Sequence, residues 1–337
     1  MSINKNTSNP LQLLKNNNLI NSKILNHLTK IYKNIEEISP ESIGLETLVG
    51  EDYNHNRLYF ETKIDTTPPN FVTCHHEEQS LCGELPEILS DFYEEWNIQG
   101  SFLNRQLKTV GFRMHYNDLD DYIMNDLFFR ASSEYNNFAG DLECIDLLSF
   151  YRNIYQLITK KDLPIEAIKQ LKDFFSYLVR LEGQFIKMKI IDLCENRISR
   201  FYFKVPNWDS LFEILSFGHW SGDFEFLRSL EELYGNVFPD FLYELEVRNT
   251  FQSEIGIRAI LPKDIDEKKE VLRGFLKNLK RCPYLKPENK ENITNYINTL
   301  FTETPEFQHI LKKLDFIKFH NFFKTKILVY LFFNVLD

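Results

Sequence analysis

Seven basic side chains, Arg57, Arg113, Lys187, Lys189, Arg200, Lys204 and Arg258, fall in short runs whose intervening residues are apolar. The clearest run is Ile198–Val205, where Ile198, Arg200, Tyr202 and Lys204 alternate with Ser199, Phe201, Phe203 and Val205. Successive side chains of a strand face opposite sides, so such a run has one charged and one greasy face. In Phe185–Ile191, Lys187 and Lys189 oppose Ile186, Met188 and Ile190; in Arg57–Ile64, Arg57, Tyr59, Glu61 and Lys63 oppose Leu58, Phe60 and Ile64. Arg113 and His115 oppose Phe112 and Met114, Glu244, Glu246 and Arg248 oppose Leu245 and Val247, and Gly256 and Arg258 oppose Ile255 and Ile257. One such strand alone is ordinarily part of a half-solvated sheet with its charged face in water. When many strands share the bias and helices cover the apolar side, the charged face lines an interior. An interior of guanidinium and ammonium groups binds an anion, most naturally a phosphate ester or diphosphate. Tyrosine rings beside it, Tyr59 and Tyr202, are placed to shield a carbocation through cation–π attraction.

The elements that must position these residues follow from the turn and helix signals. Residues 1–10 read as a disordered leader and residues 11–337 as a single domain. Leu11–Ile38 has helical apolar spacing. Ile43–Val49 and Arg57–Ile64 form a first hairpin closed by Pro68 and Pro69, and Glu84–Trp96 a short helix. Ile98–Leu103 with Lys108–Tyr116 reads as a second hairpin. Helices are expected at Asp118–Arg130, Asp141–Thr159 and Pro164–Leu181, with Pro164 suited to a first turn. The third hairpin, Phe185–Ile191 with Ile198–Val205, turns at Glu195-Asn196-Arg197 and ends at Pro206; Asn207 or Asp209 caps the next helix, and another spans Asp223–Tyr234. The fourth, Phe241–Arg248 with Glu254–Leu261, ends at Pro262, and helices at Asp264–Lys280 and Pro287–Leu300 follow. A fifth hairpin begins at Phe316–His320 and returns near Ile327–Phe333, its last strand apolar on both faces. The expected fold is mixed α/β: ten antiparallel strands in hairpins, closed into a barrel with the intervening helices outside.

Composition narrows the partners. The formal charge of −10 argues against nucleic acid, which needs a net basic surface. The five cysteines (Cys74, Cys82, Cys144, Cys194, Cys282) form no CxxC pair, which points to free thiols and a reducing, cytoplasmic setting. The polar, Asn-rich first 20 residues do not read as a signal peptide, and no run of 18 apolar residues exists. Thirty Phe serve a core, while sixteen Tyr also suit an aromatic-lined cavity.

The segment from Ile190 through Asp192, Arg200, Phe201, Tyr202 and Lys204, followed by a helix and Leu215-Ser-Phe-Gly-His-Trp220, resembles the third hairpin of the dimethylallyltryptophan synthase family, the indole prenyltransferases of the ABBA-barrel class. The other hairpins fit that pattern in order over about residues 40–320. Glu46 and Arg57 match the family's first-strand glutamate, which hydrogen-bonds the indole N–H, and the arginine that holds diphosphate. Arg113 and His115 stand for a Lys-x-Tyr pair, and Arg258, Ile260 and Pro262 for Lys-x-Tyr-x-Pro. The two Lys-to-Arg changes keep charge; His115 and Ile260 weaken the tyrosine shield, and the lysine near the departing ring proton has no counterpart in the pattern. The resemblance implies transfer of a dimethylallyl or longer group from an allylic diphosphate to an indole or tryptophan-derived small molecule or peptide, by electrophilic aromatic substitution. Arg57, Arg113, Lys187, Lys189, Arg200, Lys204 and Arg258 would hold diphosphate, Tyr59, Tyr202 and His115 would shield the cation or bind substrate, and Glu46 would orient the ring. No cofactor is required on this reading, Mg²⁺ is not essential, no membrane is involved, and the protein is a monomer or homodimer.

Other signals carry less. Asp118-Leu-Asp-Asp-Tyr-Ile-Met-Asn-Asp126 resembles the aspartate-rich Mg²⁺ motif of helical isoprenoid synthases, but acids opening a helix ordinarily serve its dipole. Cys74-His-His-Glu-Glu78 is poorly spaced for one tetrahedral metal. His219 reads as a helix-end residue. No P-loop, GxSxG or dinucleotide-binding glycine pattern occurs. The reading of a different class is a non-catalytic barrel that binds an anionic or aromatic ligand, favoured by the missing tyrosines.

Overall fold

The computed structural model describes residues 42–49, 56–63, 91–92, 94–116, 122–131, 141–191, 198–247, 251–322 and 326–334. Ten strands run through them: β1 Ser42–Val49, β2 Asn56–Lys63, β3 Leu107–Tyr116, β4 Tyr122–Ala131, β5 Gln184–Ile191, β6 Ile198–Lys204, β7 Asp240–Val247, β8 Phe251–Ile260, β9 Leu314–Phe322 and β10 Lys326–Asn334. Each pairs antiparallel with its chain neighbours, and β10 returns to pair with β1, so the sheet is a closed barrel without an edge.

The helices are α1 Phe102–Gln106, α2 Asp141–Thr159, α3 Ile165–Arg180, α4 Trp208–Phe217, α5 Phe224–Tyr234, α6 Ile265–Leu279, α7 Pro287–Leu300 and α8 Pro305–Lys313. Their starts are chemically marked. Asn207 accepts from Ser210 N, Asp223 from Glu225 N and Phe226 N, Asp264 from Asp266 N and Glu267 N, and Thr304 from Phe307 N. Two apolar layers result. Outside the barrel, Phe201 and Phe203 of β6 meet Phe174 of α3 at ring-centroid distances of 6.1 and 5.2 Å. Trp208 of α4 lies 5.2 Å from Phe241 of β7, and Tyr234 of α5 stacks 5.0 Å from Phe319 of β9. Inside the barrel a separate cluster joins Tyr202, Leu242, Ile260 and Phe332. Each large ring buried between sheet and helices contributes about 1.5–3 kcal/mol.

Two elements depart from the sequence expectation. Ile98–Leu103 is not a strand: the chain turns at Gly100, whose φ of +83° suits glycine, and Ser101 caps α1 by accepting from Asn104 N. Asp118–Arg130 is not a helix: Tyr122–Ala131 is β4, paired with β3 and β5, and Phe129 is fully buried. The partner of β3 is therefore β4; Asp126 sits in the β4 ladder opposite Arg113, while Asp118, Asp120 and Asp121 lie outside the described residues. The physical reason is that Tyr-Ile-Met-Asn-Asp-Leu-Phe-Phe is rich in aromatic and strand-favouring residues, and pairing on both sides overrides the local helical spacing. The expected helix at 11–38, the leader, the turn at 195–197 and the Cys74–Glu78 cluster lie outside the described residues. Among the described residues no helix is long and apolar enough to cross a membrane.

Candidate active site

Strand alternation turns Arg200, Tyr202 and Lys204 of β6 inward, opposite Phe201 and Phe203, which pack outward in the helix-covered core. On β7 the same rule brings Glu244 and Glu246 in, on β8 Gly256 and Arg258, on β9 Phe316, Lys318 and His320, on β10 Tyr330 and Phe332, and on β1 Glu46. The ladder places them shoulder to shoulder: Arg200 opposite Glu246, Tyr202 opposite Glu244, Arg258 opposite Lys318, Lys318 opposite Tyr330, and Phe332 opposite Glu46. Among the described residues, Glu46, Glu244, Glu246, Arg258, Lys318 and His320 are buried polar or charged side chains there, beside the buried Tyr202 and Tyr330.

Glu244 is the hub. Its Oε1 accepts from Arg200 Nη1 at 2.9 Å, while its Oε2 lies 2.7 Å from Lys318 Nζ and 3.6 Å from Arg258 Nη2. Arg200 also donates from Nε and Nη2 to Glu246 Oε2, at 3.1 and 2.9 Å, and lies 3.6 Å from Glu254. Burial opposes the Arg200 charge, but Glu244 and Glu246 outweigh it and hold the guanidinium more basic than an ordinary arginine. Lys318 Nζ continues the chain of charges to Glu46 Oε1 at 3.8 Å and sits over the Tyr330 ring at 5.8 Å. Gly256 makes room for the hub: a Cβ there would come within 3.1 Å of Glu244 and 3.2 Å of Lys318.

Arg258 has a different environment. Its guanidinium carbon lies 4.6 Å from the Tyr202 ring centroid and 4.8 Å from that of Phe316. Its Nε is buried and makes no hydrogen bond among the described residues. Arg258 therefore combines a delocalised charge, two aromatic faces and spare donor capacity. Lys204 stands nearer one end of the barrel, half-buried and paired with the half-exposed Asp240 of β7.

Of the residues expected from sequence, the structure brings Glu46, Arg200, Tyr202 and Arg258 into one group, Arg200 part-buried and the other three buried. The side chains of Arg57, Tyr59, Arg113, His115, Lys187 and Lys189 lie outside the described residues, but the backbone register is informative. Arg57 is opposite Glu46 and His115, Tyr59 is opposite Gly44 and Arg113, Lys187 is opposite Tyr202, and Lys189 is opposite Arg200. Glu244, Glu246, Lys318 and Phe332 join the site beyond the residues expected from sequence, and Tyr330 is the one tyrosine of the fifth hairpin that fits the family's tyrosine pattern. Phe316-Ile-Lys-Phe-His320 does alternate, so Lys318 was readable from it. Phe332 was hidden because both faces of β10 are apolar: Val329, Leu331 and Phe333 pack outward, and Tyr330 and Phe332 inward. The tyrosine excess divides likewise, with Tyr202 and Tyr330 inside and Tyr151, Tyr234 and Tyr243 in the outer core.

No family model and no curated protein matches the sequence. Solved structures do match. AnaPT from Neosartorya fischeri superposes with a TM-score of 0.53 at 12% identity, over 88% of this chain and 78% of that one. 5-Dimethylallyltryptophan synthase from Streptomyces coelicolor gives 0.53 at 6% identity, over 96% and 95% of the two chains. Its complex with DMASPP and Trp gives 0.50 at 8% identity, over 96% and 92%. Identities this low establish architecture and not chemistry, and the architecture is that of the dimethylallyltryptophan synthase-type prenyltransferase barrel.

Proposed function

We propose that the protein is an aromatic prenyltransferase that moves a dimethylallyl or longer group from an allylic diphosphate to an indole or tryptophan-derived acceptor. The observation that carries this reading is Arg258, a buried guanidinium held against the Tyr202 and Phe316 rings with an unused donor. An arginine can hold a diphosphate oxygen while the neighbouring rings face the allylic carbon as it becomes positive. In that step the allylic C–O bond breaks and its electrons leave with pyrophosphate. A ring carbon of the acceptor then supplies the pair for the new C–C bond, and the ring loses its proton to a base. Stabilisation of the leaving group by fixed cations is the main source of rate. Arg57, Arg113, Lys187, Lys189, Arg200 and Lys204 are the further candidates for that task. Glu46, 3.8 Å from Lys318, is the carboxylate assigned to the indole N–H. Support from the same fold comes from the Streptomyces coelicolor synthase, solved with DMASPP and Trp.

The test is incubation with dimethylallyl diphosphate and tryptophan, or indole-containing peptides, in the presence of EDTA, followed by mass spectrometry. A gain of one prenyl unit is expected, because fixed cations replace a metal on the diphosphate. Absence of product with C5, C10 and C15 donors alike would overturn the reading. A second reading, a non-catalytic barrel that binds an anionic or aromatic ligand, is favoured by one observation: Glu244 and Glu246 already engage Arg200. Binding of pyrophosphate or indole without turnover would select it.

A further inference from the structure

Phe332 of β10 lies across Gly44 of β1. A Cβ built on Gly44 would fall 1.9 Å from the tip of the Phe332 ring, so no other residue fits there with the ring in place. An aromatic ring covering a glycine on the neighbouring strand is a common way to complete a sheet. Here the stack does not stop at the pair. Phe332 lies parallel to Phe316 of β9, with centroids 4.4 Å apart and planes 9° from parallel. Phe316 is in turn 4.8 Å from the Arg258 guanidinium of β8, whose other neighbour is Tyr202 of β6 at 4.6 Å. A continuous column thus crosses the interior from β1 to β6, and Arg258 sits inside it.

We propose that Gly44 and the Phe332–Phe316 pair are positioning residues for Arg258, fixing its guanidinium for a diphosphate group. The proposal rests on the reading of Arg258 as a diphosphate ligand. Arg258 is otherwise tethered by Glu244 at 3.6 Å, too long for a strong hydrogen bond, so ring contacts do most of the orienting. A methyl group at Gly44 forces the Phe332 ring to tilt or withdraw, and its parallel partner must follow or lose the stack. Phe332→Leu removes the stack without adding a clash.

Binding of inorganic pyrophosphate is measured by calorimetry on the full chain, at a temperature well below unfolding, with circular dichroism to confirm that each variant is folded. Gly44→Ala and Phe332→Leu are each expected to bind about tenfold more weakly, the size of one lost desolvated cation–π contact. The double variant is expected to bind like Phe332→Leu alone, since both changes act along one route. Should Gly44→Ala not fold, Phe332→Leu decides. Wild-type affinity in Phe332→Leu, with Arg258→Ala weakened, overturns the positioning role while leaving the Arg258 reading intact. Equal binding by wild type and Arg258→Ala overturns the Arg258 reading and this proposal with it, as does absence of binding to the wild type.

Discussion

Glu244 shows how one residue sets the character of the interior. It touches Arg200, Lys318 and Arg258 at 2.9, 2.7 and 3.6 Å and is 1% exposed. Removing one partner from a buried ionic network leaves charges without compensation, typically at a cost of about 3–5 kcal/mol. Glu244→Gln is therefore expected to lose about 3 kcal/mol in urea unfolding. The same change adds a positive charge to the interior balance, so pyrophosphate should bind more tightly at equal ionic strength. Loss of stability without a gain in anion affinity would mean that the carboxylates do not compete with an anion. A companion change, Arg258→Lys, keeps the charge and removes the flat face. It should weaken pyrophosphate binding about tenfold, and unchanged affinity would show that charge alone suffices. The basic residues were legible in the sequence because alternation with Phe201 and Phe203 marks a face. Their partners were not, because a carboxylate on a strand reads the same whether it meets water or, like Glu244, three cations on three other strands.

At the scale of elements, the sequence was most legible where proline and a capping side chain coincide. Asn207 after Pro206, Asp264 after Pro262, and Asp223 each start a helix as their chemistry implies. β4 was misread because its apolar spacing fits either period, and only pairing with β3 and β5 selects the strand. Another device belongs to no local pattern. Lys268 of α6 is 1% exposed, and its Nζ donates to the carbonyl oxygens of Leu311, Lys312 and Leu314 at 3.2, 3.0 and 2.5 Å. It caps the C-terminal turn of α8 where the chain enters β9. Burial lowers its pKa to about 8, against a smaller upward pull from Asp315. Lys268→Met leaves three carbonyls without their donor and should cost about 1–3 kcal/mol. The pH dependence has a definite sign. Below pH 8 both folded and unfolded lysine are protonated, and the folded state bears the cost of a buried charge. Between about 8 and the ordinary lysine value of 10.5 the unfolded chain binds more protons, so stability rises with pH. The wild type's advantage over Lys268→Met should therefore widen from pH 8 to pH 10 and stay flat from pH 6 to pH 7.5. A shrinking advantage above pH 8 would mean that Lys268 is not a depressed, buried amine.

At the scale of the whole molecule, the property that matters most is closure. Closure into a barrel was expected from ten strands in five hairpins and is made by β10 joining β1, although the second hairpin pairs β3 with β4 and not with 98–103. Closure also gives the interior its column, since Gly44 and Phe332 meet only across that seam. A closed sheet has no independent half, so damage at the seam must be felt on the far wall. Val329 of β10 pairs with Val49 of β1 and Phe319 of β9, and its side chain is 1% exposed. Proline there cannot donate to either neighbour, and the orphaned acceptor alone costs at least about 1–3 kcal/mol. Trp208 packs against Phe241 and Tyr243 of β7, on the side of the barrel away from the seam, and reports that wall by fluorescence in a background where Trp96 and Trp220 are replaced by Phe. In Val329→Pro the urea midpoint of tryptophan fluorescence should fall as far as that of far-ultraviolet circular dichroism, and the two curves should remain superimposed. If the fluorescence midpoint stays at its wild-type value while the dichroism curve splits in two, the β6–β7 wall folds without the seam. The column that holds Arg258 would then depend on a contact that opens separately from the rest of the barrel.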